Sequence, residues 1–346
     1  MKKFDFCIGN PPYHQSQNDT SDKPVYDLFM DAAFNVARCV ELVTPARFLF
    51  DAGKTPKAWN QKILSDKHFK VLGYTQDSGD IFPGTRIPGG ISITYRDENR
   101  EFGAVEVFSQ YAELRSLMKK AQDFVVNGAL PSIMILQNRF SLVALYEDYP
   151  DAKKIISSDG GERRIVSSAF NKLSVFKTTN MSPDMIAVFG LEGTGLVRTK
   201  KWIEKKYVED NGNLYKYKVM VAKANGGAGN ICDEPVRIIA DPFILPPEVG
   251  YTQSFIGIGA FSSEAEANNA KKYIETKFVR VLLGILKITQ DNPPEKWRYV
   301  PLQNFTAVSD IDWSKSIAEI DHQLYKKYGL SDEEITFIET HVKEME

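Results

Sequence analysis

Hydrophobic and polar positions alternate so as to predict strands and helices in turn along the first hundred residues. A short, mostly apolar run over residues 4–9 predicts a buried strand that enters a loop at Asn10. The pattern then predicts a helix over 25–38, a strand-like run over 40–50, a helix over 59–64 and strands over 71–74 and 90–95. Strands that alternate with helices are typical of a mostly parallel sheet, so residues 1–105 are predicted to form an α/β domain.

The pattern beyond this domain predicts a connecting segment over 106–150, with a helix over 111–123, and a mixed α+β domain over 151–346. Short strands are expected over 186–189, 217–222, 236–239 and 254–258. Residues 264–286 read as one long amphipathic helix. A final pair of helices is expected over 317–328 and 332–342, with Ser331 as an N-cap.

Composition and cysteine spacing are those of a globular cytoplasmic protein. Hydrophobic residues make up 43% of the chain and charged residues 25%. No apolar run is long enough to span a membrane, and the amino terminus does not resemble a signal peptide. Cys7, Cys39 and Cys232 are far apart and predict reduced thiols without zinc spacing, so no metal site is expected.

The charge of the chain gives two opposing indications about whether it binds nucleic acid. The net charge of -2 is mild evidence against a DNA-binding protein, because such proteins are often basic. Residues 198–223, however, hold eight basic and three acidic residues, a local excess of five positive charges, with aromatic residues interleaved. This stretch is either a nucleic-acid contact or a solvated lysine-rich surface, and its pattern leaves both open.

The strongest chemical signal is Asn10-Pro11-Pro12-Tyr13, directly after the first predicted strand. An exocyclic amino group on a base is a poor nucleophile because its lone pair is delocalised into the ring. Two acceptors aimed at its hydrogens would draw the nitrogen toward a tetrahedral shape. The Asn10 side-chain oxygen and the Pro11 carbonyl suit this role, and Pro12 helps to fix the direction of that carbonyl. Tyr13 would then stack on a base that has been flipped out of a duplex.

Residues 4–13 resemble the fourth motif of the gamma-type DNA adenine N6-methyltransferases of restriction–modification systems. The likeness continues through residues 24–29, 44–49 and 80–92. It implies a partial Rossmann-like methyltransferase sheet, S-adenosylmethionine as cofactor and double-stranded DNA as substrate. It also implies that Asn10 contacts the cofactor and that Phe82 lies on the opposite face of the flipped adenine from Tyr13.

The second half of the chain resembles the target-recognition region of the same enzymes, more diffusely. Residues 217–219, 253–255 and 287–291 carry this likeness, together with the glycine-rich stretch at 224–230. The resemblance implies substrate contacts from Lys218, Lys223, Gln253 and Gln290.

One departure from the family pattern predicts a missing cofactor site. Family members carry a glycine-rich S-adenosylmethionine loop upstream of the Asn-Pro-Pro-Tyr strand, whereas only nine residues precede Asn10 here. The expectation is a truncated or split methyltransferase half, which would need an upstream-encoded subunit with the cofactor-binding strands. The edge of the first strand would be its docking surface, because unpaired strand edges recruit partners.

Two other functions fit the same motif. A protein glutamine N5-methyltransferase would use it on a side-chain amide, whose nitrogen is equally delocalised. Such enzymes end soon after the core sheet, whereas more than 200 residues follow it here, which favours DNA recognition. The chain could also be a non-catalytic DNA-binding remnant.

Overall fold

The computed structural model describes most of the chain and divides it into two compact units. The described residues are 3–15, 23–50, 53–105, 107–109, 111–156, 163–193, 197–224, 231, 234–287 and 290–345. The first unit is Met1–Ala112 and the second is Glu113–Glu346. Residues 113–150, which the sequence suggested as a connecting segment, are therefore part of the second unit.

The first unit consists of short strands and two helices in alternation. Its elements are β1 Phe4–Gly9, β2 His14–Gln15, β3 Lys23–Pro24, α1 Tyr26–Val36, β4 Ala37–Pro45, α2 Lys57–Leu64, β5 Phe69–Thr75 and β6 Ile91–Asp97. Two 3-10 helices, Ala46–Phe50 and Ser78–Asp80, follow β4 and β5.

Four of these strands form a mixed sheet in the order β1-β4-β6-β5. Strand β1 pairs with β4 in parallel, and β6 is antiparallel to both β4 and β5. Three strands thus share one direction, and β6 alone runs against them. The sheet is therefore mixed. Three strands run in the same direction, as expected for a mostly parallel sheet, but only one of the three pairings is parallel.

The core of this unit lies on one face of the sheet. Helix α1 presents Met30, Ala33 and Phe34 at helical spacing, and they pack with Val40 and Leu42 of β4. The same cluster contains the buried aromatic rings of Tyr26, Phe48, Trp59 and Phe69. On β1, Cys7 packs against the cluster, whereas its neighbours on either side in sequence are exposed. Strand β1 is therefore covered on one face only.

The second unit is a mixed α+β structure with helices at its carboxyl end, as expected. Its helices are α3 Ala112–Phe124, α4 Leu142–Asp148, α5 Ala152–Ile155, α6 Ala169–Lys172, α7 Glu264–Glu275, α8 Lys277–Gly284, α9 Ile317–Lys327 and α10 Asp332–His341, the first beginning at the last residue of the first unit. Its strands are β7 Met134–Ile135, β8 Arg139–Phe140, β9 Met185–Glu192, β10 Val197–Glu204, β11 Val208–Glu209, β12 Tyr217–Ala222, β13 Phe243–Leu245, β14 Val249–Tyr251 and β15 Phe255–Phe261. Leu130–Ile133, Lys205–Tyr207 and Pro294–Trp297 are 3-10 helices.

Three sheets organise the second unit. Their strand orders are β13-β12-β15-β7, β10-β9-β14 and the pair β11-β8. Strands β9 and β10 form an antiparallel pair from Met185↔Glu204 to Val197↔Glu192, so residues 198–204 of the basic stretch lie in a strand. Residues 194–196 and the glycine-rich stretch at 225–230 lie outside the described residues.

Two predicted elements of this unit are wrong, for local reasons. The single helix expected over 264–286 is two helices, because Thr276 is extended with ψ 148° and its hydroxyl caps Val279 N of α8. Residues 236–239 form no strand, since Ile238 has a φ of 64°. The predicted N-cap is confirmed: Ser331 accepts from the backbone N–H of Glu334, and the Glu334 carboxylate accepts from Ser331 N.

The described residues contain no candidate membrane span and no candidate metal site. None of the described helices combines the length and the apolarity that a bilayer crossing requires. Within the same residues, no group of three or more histidine, cysteine or acidic side chains is arranged so that it could hold a metal ion. Cys7 and Cys39 are free thiols, and Cys232 lies outside the described residues.

Candidate active site

The Asn10–Tyr13 segment lies at the carboxyl end of β1, where strand pairing stops. The last paired residue is Gly9, opposite Leu42 of β4. Pro11 and Pro12 have no backbone N–H and cannot continue the ladder. The chain is held again at Tyr13, whose carbonyl accepts a hydrogen bond from Val25 N at 3.1 Å. Among the described residues, no backbone N–H donates to the Pro11 carbonyl.

A cavity of about 390 Å³ opens beside this segment. Its lining contains Asn10 and Tyr13 together with Phe82, which is distant in sequence. The other lining residues are His14, Thr85, Arg86, Ile87 and Pro88. The structure thus brings together three of the residues predicted from the motif and the resemblance. Pro11 and Pro12 are not among the lining residues.

Tyr13 and Asn10 interact at the mouth of this cavity. Burial raises the pKa of the Tyr13 phenol, and the nearby Asn10 amide partly opposes that rise. The buried hydroxyl has no hydrogen bond of good geometry to a described residue. Tyr13 is therefore uncharged at neutral pH, so its ring can stack and its hydroxyl can donate to a ligand.

The opposite wall of the cavity is a loop held together by Ser78. The buried Ser78 hydroxyl donates to Thr85 O at 2.6 Å and accepts from Ile87 N at 2.8 Å. Phe82 N donates to Ser78 O at 2.8 Å. Ser78 therefore fixes the backbone that carries Phe82. It was not predicted, because the polar sequence around it indicates a turn without showing which carbonyl its hydroxyl reaches.

Gly90 closes the same loop at its far end. Its φ of +77° lies in the left-handed region, and a Cβ atom built on it would be 2.1 Å from Thr75 O. Its carbonyl accepts from Ala46 N at 3.0 Å. Only glycine fits this position, where the loop rejoins β6.

The donor set of the cavity fits a base better than a whole nucleoside cofactor. The described side chains of its lining offer an amide, a phenol, an imidazole, a hydroxyl and a guanidinium, but no carboxylate. Nucleoside cofactors are commonly held by an acidic side chain on the ribose hydroxyls. For S-adenosylmethionine, which the resemblance implies, these lining residues therefore fit poorly, and Asn10 remains the one residue predicted to contact it.

Lys218 of the second unit, predicted to contact substrate, is fully buried. Its side-chain nitrogen lies 2.9–3.2 Å from four backbone carbonyls that accept from it, those of Asn213, Leu214, Lys216 and Pro246. Burial lowers the pKa of Lys218 to about 7, against a smaller opposing effect of Asp210. This burial contradicts the predicted substrate contact, and the side chain instead has a structural role, because it satisfies carbonyls of a turn.

The other three predicted substrate residues are accessible, and two of them line the same cavity. Lys223 is exposed and Gln253 is half-buried, and both line a second cavity of about 770 Å³. Gln290 is exposed and is not among the residues that line this cavity. Residues 288–289 beside it lie outside the described residues.

Comparison with known proteins gives two likenesses, both to methylases. Residues 1–82 match the family model described as Eco57I restriction-modification methylase, a stretch that begins before Asn10 and ends at Phe82. The chain is also 32% identical over 96 residues to a Mycoplasma pneumoniae protein named uncharacterized adenine-specific methylase. That alignment covers 26% of this chain and 23% of the relative, so the chain spans about a quarter of the relative's length.

Replacement of Gly90 should distort the loop that carries Phe82. Gly90→Ala adds a methyl group against Thr75 O in addition to the strain of a positive φ. Gly84→Ala is the matched control, because its φ is +78° and its added Cβ meets no atom within 4 Å. The control should lose about 1–2 kcal/mol of unfolding free energy from strain alone, and Gly90→Ala should lose more. Denaturant unfolding measures both, and equal losses would contradict the packing described.

Replacement of Lys218 should destabilise the second unit. In Lys218→Met four carbonyls lose their donor, and each unsatisfied buried acceptor costs about 1–3 kcal/mol. We expect a loss of at least about 2 kcal/mol in the free energy of unfolding. Lys216→Met, at an exposed site two residues away, should change it by less than about 0.5 kcal/mol. Equal stability of the two variants would show that the four backbone carbonyls do not need the Lys218 side chain as a hydrogen-bond donor.

Proposed function

We propose that this chain is the modification component of a restriction–modification system and methylates adenine N6 in duplex DNA. The methyl donor would be S-adenosylmethionine, and the adenine would be flipped out of the helix. The observation that carries the proposal is the cavity that Asn10, Tyr13 and Phe82 line together. The methylase match over residues 1–82 supports it, because the match contains all three.

In this proposal Asn10 and Pro11 activate the amine of the flipped base. The Asn10 side-chain oxygen and the Pro11 carbonyl each accept one N6 hydrogen. Two acceptors aimed at the two hydrogens favour a tetrahedral nitrogen, which localises the lone pair that must attack the methyl carbon. The position of Pro11 supports this role, because it lies beyond the last paired residue of β1 and no described backbone N–H donates to its carbonyl. The N6 proton can leave to water after attack, so no general base of low pKa is needed.

Tyr13 and Phe82 would hold the base between two aromatic rings. Stacking of a base on an aromatic side chain contributes about 1–3 kcal/mol, which helps to offset the cost of removing the base from the duplex. Arg86 lines the same cavity at an exposed position, where a guanidinium can contact the phosphate that flanks a flipped nucleotide. Tyr13 and Phe82 would thus hold the base, and Arg86 would contact the phosphate of the same nucleotide.

We further propose that S-adenosylmethionine is held by a separate cofactor-binding polypeptide, which docks against the outer face and edge of β1. Three alternate residues of this strand, Phe4, Phe6 and Ile8, are 59%, 68% and 76% exposed. Alternate residues of a strand share a face, so these side chains form one apolar row. Strand β1 also lies at the end of its sheet, with one edge that pairs with no described strand. A cofactor-binding polypeptide that covers this row would complete the site beside Asn10.

Removal of the Asn10 amide should stop methyl transfer. The substrate is unmethylated genomic DNA, and the enzyme is this chain co-expressed with the candidate cofactor-binding polypeptide from the same operon. Asn10→Ala should lower the rate of N6-methyladenine formation, measured by mass spectrometry, by about 100-fold or more. Asn99→Ala, which removes an exposed asparagine from the same unit, should leave the rate unchanged.

The same assay separates the alternatives. Full activity of the Asn10→Ala enzyme would overturn the catalytic assignment. Methylation of a glutamine-containing peptide but not of DNA, by the unsubstituted enzyme, would replace the proposal with protein methylation. No transfer to either substrate, with DNA binding intact, would make the chain a binding remnant.

A charge on the outer face of β1 should weaken docking without unfolding the chain. Ile8→Asp places a carboxylate on a side chain that is already exposed, so the free energy of unfolding should change little. Binding to the cofactor polypeptide should weaken at least about tenfold, as expected for a buried interface position. Leu72→Asp is the matched control, because Leu72 is exposed on β5 at the other end of the sheet. Unchanged binding of the Ile8→Asp chain in analytical ultracentrifugation would contradict this surface.

A further inference from the structure

We propose, on the basis of the function proposed above, that a cleft in the second unit binds the phosphodiester backbone of duplex DNA. The cleft has a volume of about 770 Å³. Its lining includes four cations, Arg139, Arg163, Arg164 and Lys223, and the side-chain amide of Gln253. Neither the composition nor the resemblance indicated the three arginines.

Strand pairing forces two of these arginines together. Arg139 of β8 and Arg164 face each other across an isolated antiparallel bridge. The flanking hydrogen bonds are Phe140 N to Arg163 O at 2.6 Å and Ile165 N to Asn138 O at 3.1 Å. This pattern makes Arg139 and Arg164 a non-hydrogen-bonded pair, the type in which facing side chains are closest. Like charges directly opposite each other destabilise a sheet. The fold thus retains a repulsive pair on an exposed surface.

The acidic residues of the cleft do not neutralise that pair. Glu209 lies opposite Arg139 on the other side, in β11, but its carboxylate accepts from Arg163 Nη2 at 3.0 Å. Asp210 is committed to the backbone, because its Oδ1 accepts from Gly212 N at 2.8 Å and Leu214 N at 3.2 Å. Within the described residues, Arg139 and Arg164 have no carboxylate partner. Among the described lining residues, four cations against two carboxylates leave a net charge of +2.

The remaining polar groups of the cleft add hydrogen-bond donors. Gln253 Oε1 accepts from Ser167 N at 2.8 Å, which leaves the amide N–H groups of Gln253 to donate. Lys223 is joined through its backbone N to Ser254 O at 2.9 Å, next to Gln253 in sequence. A surface of guanidinium, ammonium and amide donors fits a ligand rich in anionic acceptors. Guanidinium forks in particular match phosphate oxygens bidentately, so a sugar–phosphate backbone is the ligand class that this chemistry recognises.

The test is the salt dependence of DNA binding by the full chain, without methyl donor. Binding of a fluorescent duplex of mixed sequence is measured by anisotropy over a series of salt concentrations. The variant R139A/R164A should bind about tenfold or more weakly, and the slope of log K against log salt should fall by about 2, one for each lost phosphate contact. The control variant K119A/R298A removes two positive charges from the same unit outside the cleft and should keep the slope of the unsubstituted chain.

Further variants and competitors make each outcome decisive. R139K/R164K should keep the slope and lose part of the affinity, since charge remains but the bidentate fork is lost. Denaturant unfolding of R139A/R164A should show unchanged or greater stability, because a repulsive pair is removed. An unchanged slope in R139A/R164A would overturn the proposal. Displacement of the duplex by micromolar adenosine monophosphate, or equal binding of duplex RNA, would also overturn it in favour of a nucleotide pocket or an RNA site.

The result of the salt-dependence test does not depend on whether the chain catalyses methyl transfer. If Asn10→Ala retains full methyl transfer, the proposed chemistry fails while the slope change in R139A/R164A still stands. If transfer depends on Asn10 but the slope is unchanged, the chemistry stands and the cleft assignment fails.

Discussion

The candidate active site depends on the common direction of three strands in the first unit. Strands β1, β4 and β5 run the same way, so their carboxyl ends lie at one edge of the sheet. Asn10 follows β1, and the loop that carries Phe82 follows β5. These strands are at opposite ends of the sheet, about 14 Å apart at three strand spacings. The loop must cross that distance to reach Tyr13, and the hydrogen bonds of Ser78 and the turn at Gly90 shape it to do so.

This constraint explains which parts of the site could be predicted. The Asn-Pro-Pro-Tyr segment is local: a strand, two prolines and a polar side chain are contiguous, so both position and chemistry are visible in the sequence. Phe82 could be predicted only through the family resemblance, because its convergence on Tyr13 arises from the sheet order. Thr85 and Arg86 were missed for the same reason, since nothing local shows that a Ser78 hydroxyl holds their backbone beside Asn10.

The second unit was harder to predict because its interactions join distant residues. A lysine in a basic stretch normally lies in solvent, and burial of Lys218 requires four carbonyls from the turn before it and from Pro246. The helix over 264–286 kept its amphipathic pattern across Thr276, so hydrophobic spacing did not reveal the break. Two contacts of β10 were also not visible in the sequence: Lys201 pairs with Glu192, and the exposed Arg198 lies over the Phe243 ring.

The net charge of the whole chain and the local charge of the cleft have different implications for DNA binding. A net charge of -2 argues weakly against DNA binding only if charge is spread evenly over the surface. Here several cations of the basic stretch at 198–223 are already engaged: Lys205 pairs with Glu248, Lys206 with Asp148, and Lys218 is internal. Of the cleft cations, Lys223 belongs to that stretch, whereas Arg139 and Arg164, which have no carboxylate partner among the described residues, come from outside it. Because coulombic attraction and counterion release act over about one Debye length, the local charge of the cleft governs phosphate binding, and the whole-chain value does not.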